Sequence, residues 1–75
     1  MEYFCDEKRH LVCKPFSVEN LHKMAEDLNI AKDWFHNKKG KNPHYDIPKR
    51  RIAEIQAKCT VVSEREIWKI INMQV

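Results

Sequence analysis

The sequence predicts a small α/β domain: a mixed, partly parallel sheet carrying three helices in the order β-β-α-β-α-β-α. Three observations lead there. Short β-branched or aromatic runs alternate with stretches whose apolar residues recur at helical spacing. Two of those stretches begin with a residue suited to cap a helix. The chain has 75 residues, 43% hydrophobic and 33% charged, with one Gly and three Pro, as expected of one globular domain over 1–75 rather than a linker.

Glu2 to Cys5, carrying Tyr and Phe, reads as a first strand and Asp6 to His10 as a polar turn. Leu11-Val12-Cys13 reads as a second strand, stopped by Pro15. The first helix is capped by Ser17, whose hydroxyl can accept from an unpaired backbone N–H. Glu19 suits the first turn electrostatically, and Phe16 with Leu21 stands at staple positions. Val18, Leu21, Met24, Ala25 and Leu28 form its apolar face, and Asn29 suits a left-handed C-cap.

Ile30 to His36 includes a strand around Trp34 and Phe35. A polar loop with the only glycine, Gly40, follows to His44. Pro48 fits the first turn of a second helix, lined by Ile52, Ile55 and Cys59. Thr60-Val61-Val62 reads as a strand. Ser63 with Glu66 forms a capping box for a third helix bearing Ile67, Trp68, Ile70 and Ile71. In a sheet of this kind, ligands bind beyond the carboxyl ends of the strands, where Asp6, Arg9, His36 and Ser63 to Arg65 fall.

The net charge of +3 is unevenly spread. Lys38, Lys39, Lys41, Lys49, Arg50 and Arg51 stand against Asp46 alone, so residues 38–51 carry +5 and the rest carries −2. Such a field attracts phosphates or acidic protein surfaces. No apolar run approaches the ~20 residues that span a bilayer, and the N-terminus lacks signal-peptide character. Cys5, Cys13 and Cys59 form no CxxC and read as reduced thiols of a cytoplasmic protein. With His10 they match no usual zinc spacing, so no metal and no cofactor are expected.

Lys49, Arg50 and Arg51 break a rule, because cations at the start of a helix oppose its dipole. A phosphate held by Lys49, Arg50 and backbone N–H groups would remove the conflict. Side chains that extend into solvent, or an offset by Asp46, would also remove it. His36, His44 and Asp46 beside these cations could perform acid–base work on a phosphodiester, with Tyr45 beside them. The structural alternative makes Asp46 a helix cap and His44 a loop residue. Asp6 is a candidate acid, base or ligand, with Arg9 for phosphate; both also suit an ordinary turn. Trp34 or Phe35 could stack on a base, one of them being core. His22 reaches the site only if its helix packs there.

These residues resemble a known family. Leu21-His22-Lys23-Met24-Ala25, Ile30, Trp34 to His36 and His44-Tyr45-Asp46-Ile47 with Lys49-Arg50 are similar to the domain-of-unknown-function 4031 family of short bacterial and phage proteins. That family's pattern is an acidic turn with Asp and Arg, a Leu-His-x-Met-Ala helix, a Trp-His pair, and His-Tyr-Asp before Lys-Arg. Asp6 and Arg9 match the opening; His22, Trp34, His36, His44, Tyr45, Asp46, Lys49 and Arg50 match the rest. The resemblance spans about residues 3 to 63, with the last helix outside it. Phe35 splits the Trp-His pair, and Pro48 intervenes before Lys-Arg. The resemblance implies that the polar residues form one cluster, Asp6, Arg9 and His22 included. A phage source would fit a host-takeover or anti-defence protein.

The leading expectation is a site for a phosphate-containing ligand, a nucleotide or nucleic-acid end, with phosphodiester hydrolysis left open. Lys49, Arg50 and Arg9 would hold phosphate, His36 and His44 would move protons or hydrogen-bond, Asp46 would orient a histidine, and Trp34 would stack. The rival is an interaction protein that binds and inhibits an acidic host surface. A plain nucleic-acid binder is a third option, for which +3 is low. A monomer or small homo-oligomer is expected, without membrane contact.

Overall fold

The computed structural model describes residues 1–37 and 42–72. The expected α/β class is met by a five-stranded mixed sheet with three helices. The elements are β1 (Glu2–Cys5), β2 (His10–Lys14), α1 (Val18–Leu28), β3 (Phe35–His36), β4 (His44–Asp46), α2 (Ile52–Ala57), β5 (Thr60–Val61) and α3 (Glu64–Asn72). Single turns of 3-10 helix precede β3 (Lys32–Trp34) and α2 (Lys49–Arg51). The sheet order is β3-β4-β2-β1-β5, with β1/β5 parallel and the other pairs antiparallel. Gly40 and the cations Lys38, Lys39 and Lys41 lie outside the described residues.

Two differences from the expected elements matter for the site. His44-Tyr45-Asp46 is a strand, not a loop end, because it pairs with β2 on one side and β3 on the other. The second helix is only Ile52–Ala57, and its cationic start is the separate 3-10 turn.

The first helix is set by its caps as expected. The Ser17 hydroxyl accepts from the Asn20 N–H at 3.0 Å. Asn29 takes a left-handed conformation, φ 61°, and its N–H returns to the Ala25 and Glu26 carbonyls. The Ser63 hydroxyl likewise accepts from the Glu66 N–H at 3.2 Å to start α3.

Side chains directly opposite in a sheet share a face, and neighbours along a strand alternate. The register pairs Leu11 with Tyr45 and Tyr45 with Phe35, so these three share one face. It pairs His10 with Asp46 and His36 with His44, which therefore share the other. The α1 helix covers the first face, its His22 ring lying 4.7 Å from Phe35 and 5.8 Å from Tyr45. The α3 helix covers the second, where Trp68 meets His10 and His44. With helices on both faces, β2 buries Leu11, Val12 and Cys13 in succession. The core adds Leu21, Met24, Ala25 and Leu28 from α1, Ile55 from α2, and Ile67, Ile70 and Ile71 from α3.

Candidate functional site

Among the described residues, Asp6 is the one charged side chain in the buried set. It lies in the β1–β2 turn, and its Oδ1 accepts from the N–H groups of Lys8 at 2.8 Å and His10 at 3.0 Å. Its Oδ2 faces His10 Nδ1 at 2.7 Å. A carboxylate only accepts, so this contact places a proton on Nδ1 and leaves the Nε2 lone pair of neutral His10 free.

His44 is fixed in the same way. Its Nδ1 lies 2.7 Å from the Asn42 carbonyl, which also can only accept. Its Nε2 lies 3.4 Å from Asp46 Oδ1. The other Asp46 oxygen, Oδ2, lies 3.0 Å from His36 Nε2. The rings of His36 and His44 stack at 5.6 Å, and His10 meets His44 edge-on at 5.1 Å. Trp68 forms an apolar wall, 4.8 Å from the His10 ring and 5.7 Å from that of His44.

Burial grades this cluster. The Asp6 side chain is 2% exposed, His44 16%, His10 19%, Asp46 24% and His36 42%. One ligand atom from each of His10, His44 and Asp46 lies within 4.8 Å of the others, the reach of a metal-binding group. Asp6, His10 and Glu64 form a second such set, and neither set contains a cysteine.

The expected site residues thus divide into separate groups. His36, His44 and Asp46 converge, and Asp6 joins them through His10. Arg9 adopts a left-handed conformation, φ 78°, and clasps β4's exit: its carbonyl accepts from the Ile47 N–H at 2.8 Å, and its Nη1 donates to the Ile47 carbonyl at 3.5 Å. His22 and Tyr45 lie on the other sheet face, sharing a 2.7 Å hydrogen bond between Nδ1 and the hydroxyl. Burial, with a smaller effect of Glu26, raises the Tyr45 pKa and keeps the phenol protonated as a donor.

Lys49 and Arg50 are exposed and line a different hollow. This cleft of about 430 Å³ lies between the end of α1 and the 3-10 turn, with Trp34 in its wall. Arg51 has another role. Its Nη1 donates to the Asn29 carbonyl and its Nη2 to the Leu28 carbonyl, both at 2.7 Å. It also holds Glu54 through Nε at 3.0 Å and Nη2 at 2.8 Å, which pulls the Glu54 carboxyl down to about 2. A cation expected to oppose one helix start instead satisfies the carbonyl end of another.

Sequence reasoning missed His10 and Trp68 as members of the cluster. An Asp followed four residues later by His across a tight turn is the local signal for His10. Its meeting with His44 depends on the β2/β4 register, which no local pattern shows.

No helix among the described residues is long and apolar enough to cross a membrane. No curated protein and no solved structure matches the chain. The model of one family does match, over residues 7–74, so that the last helix lies inside the match and Asp6 just before it. That family is described as protein of unknown function (DUF4031), and this chain belongs to it.

Proposed function

We propose that this chain binds a phosphate-containing ligand, a nucleotide or nucleic-acid end, and that its histidine face acts on that ligand. The observation that carries the reading is the Trp34 cleft, which combines an aromatic wall with the exposed cations Lys49 and Arg50. An indole offers a stacking surface to a base, and the two cations offer charge to a phosphate. Asp46 leads through Ile47 directly into Pro48 and Lys49, and Phe35 alone separates Trp34 from His36. The cleft and the histidine face therefore flank the same short β3–β4 pair. His36, the most exposed member of the cluster, is the group suited to exchange protons with a bound ester. Three free thiols accord with the cytoplasm as the working compartment.

The test is a calorimetric titration of the wild type and a Lys49→Gln/Arg50→Gln variant with nucleotides and short oligonucleotides at two salt concentrations. The wild type should bind at least one class, more weakly at high salt, and the variant should bind it about tenfold more weakly or worse. If the wild type binds none of them, or the variant binds as well, the phosphate reading fails. An interaction protein aimed at an acidic surface, such as a phage protein that inhibits its host, then becomes the better account.

A further inference from the structure

We infer that His10, His44 and Asp46 form a binding site for a divalent first-row transition-metal ion, with Asp6, the Asn42 carbonyl and His36 as its outer partners. The inference goes beyond the phosphate reading and needs nothing from the Trp34 cleft.

His10 Nδ1 donates to Asp6 and His44 Nδ1 donates to the Asn42 carbonyl, both at 2.7 Å. Each neutral ring therefore keeps its lone pair on Nε2, the atom left for a metal. Metal-bound histidines are held in this way, the second nitrogen donating to a carboxylate or a backbone carbonyl. Asp46 is divided likewise: Oδ2 is 3.0 Å from His36 Nε2, which leaves Oδ1 for the ion. Every ligand thus has a separate partner that orients it.

The spacing agrees. Ligands about 2.1 Å from a tetrahedral metal lie about 3.4 Å from one another. His44 Nε2 and Asp46 Oδ1 are 3.4 Å apart, and His10 brings a ligand atom within 4.8 Å of both. Two acceptors at this distance can share a cation between them. A proton on His44 is one answer; a metal serves the third ligand as well. Two imidazoles and one carboxylate suit zinc and its neighbours rather than calcium or magnesium, and they leave positions for water or a ligand oxygen. Trp68 lines the site with apolar surface, which strengthens the ion's hold on charged ligands.

The alternative set of Asp6, His10 and Glu64 is the weaker one. Asp6 Oδ1 already accepts two backbone N–H groups, and Glu64 Oε1 is taken by Lys8 Nζ at 3.3 Å. His10 would also have to reverse its tautomer.

The experiment uses the full chain, stripped with a chelator and titrated with Zn²⁺ by calorimetry and with Co²⁺ by visible absorption. One equivalent of each should bind, and Co²⁺ should show the bands of a four- or five-coordinate nitrogen and oxygen site. His44→Ala and Asp46→Asn should weaken Zn²⁺ binding at least tenfold while circular dichroism shows the fold retained. His22→Asn, on the opposite face of the sheet, should change it less than twofold. A paramagnetic Co²⁺ should also broaden the NMR signals of His10 and His44 far more than those of His22, a readout that needs no variant. Failure to bind either ion at millimolar concentration would leave a protonated His44–Asp46 pair and overturn the inference. So would a sulfur-to-cobalt charge-transfer band, or binding undiminished in both variants. Nucleotide binding is read separately at Lys49 and Arg50, so either result can fail without the other.

Discussion

Replacing Asp6 tests whether one buried carboxylate both closes the β1–β2 turn and sets the tautomer of His10. Three donors converge on its side chain: the Lys8 N–H at 2.8 Å, the His10 N–H at 3.0 Å and His10 Nδ1 at 2.7 Å. A hydrogen bond to a charged group contributes about 1.5–3 kcal/mol, and bonds sharing one acceptor do not add fully. Lys8 is exposed, so its share lies at the low end. Asp6→Ala should therefore cost about 3–5 kcal/mol. For a domain of this size each kcal/mol lowers the melting temperature by about 4–8 °C, so the variant should melt roughly 12–40 °C lower. Asp6→Asn keeps an oxygen for the two backbone groups and presents an amide N–H₂ to His10. His10 Nδ1 must then accept, and its proton moves to Nε2, at a cost of about 1–2 kcal/mol. Thermal melts measure the first effect and the ¹⁵N shifts of the His10 ring measure the second. An Asp6→Ala protein that melts within a few degrees of wild type would refute the turn argument. An unchanged His10 tautomer in Asp6→Asn would refute the other half.

The core and the Arg51–Glu54 pair yield two further expectations. Leu21 and Ile55 are both 0% exposed, so replacing either with Ala should cost about 2–5 kcal/mol, and unchanged melting temperatures would show that the helix faces are misassigned. Glu54 is pulled from the ordinary 4.5 to about 2, chiefly by its hydrogen bonds to Arg51. A carboxyl whose native pKa is depressed adds stability that is complete above its unfolded value and lost as pH falls through the native one. The Glu54 contribution should thus fade between about pH 4.5 and pH 2. Urea midpoints of wild type and Arg51→Gln should draw together across that window, and a constant difference would show that the pair is not the cause.

What could be read from the sequence was local. Ser17 and Asn29 announce the ends of α1 because a cap acts on its own helix within a few residues. The apolar face of α3 was legible from periodicity for the same reason. The strand β4 was not, because His44-Tyr45-Asp46 between Pro43 and Pro48 has no strand character of its own; pairing with β2 and β3 makes it one. The histidine cluster was half legible. His36, His44 and Asp46 are close in sequence, but His10 reaches them only through the β2/β4 register, and Trp68 only through the packing of α3. The cysteines Cys5 and Cys13 flank His10 along the chain, whereas its neighbours in space are His44 and Trp68.

Arg51 changes the reasoning about the cationic segment. Three successive cations at the start of a helix oppose its dipole and call for an anion. The structure removes one of them from that account, because Arg51 donates to the Leu28 and Asn29 carbonyls at the end of α1, where the helix dipole favours a cation. The helix that remains, α2, is a single short one entered through a 3-10 turn, so its dipole is a small term. The unfavourable placement of cations is therefore largely resolved within the protein. What supports a ligand now is different: Lys49 and Arg50 stay exposed beside a cleft walled by Trp34. A dipole argument would favour any small anion at this turn. The cleft argument favours an anion attached to a flat ring, because stacking on Trp34 adds to the charge. Inorganic phosphate should consequently compete poorly with nucleotides in the same titration, and equal affinity for the two would return the explanation to charge alone.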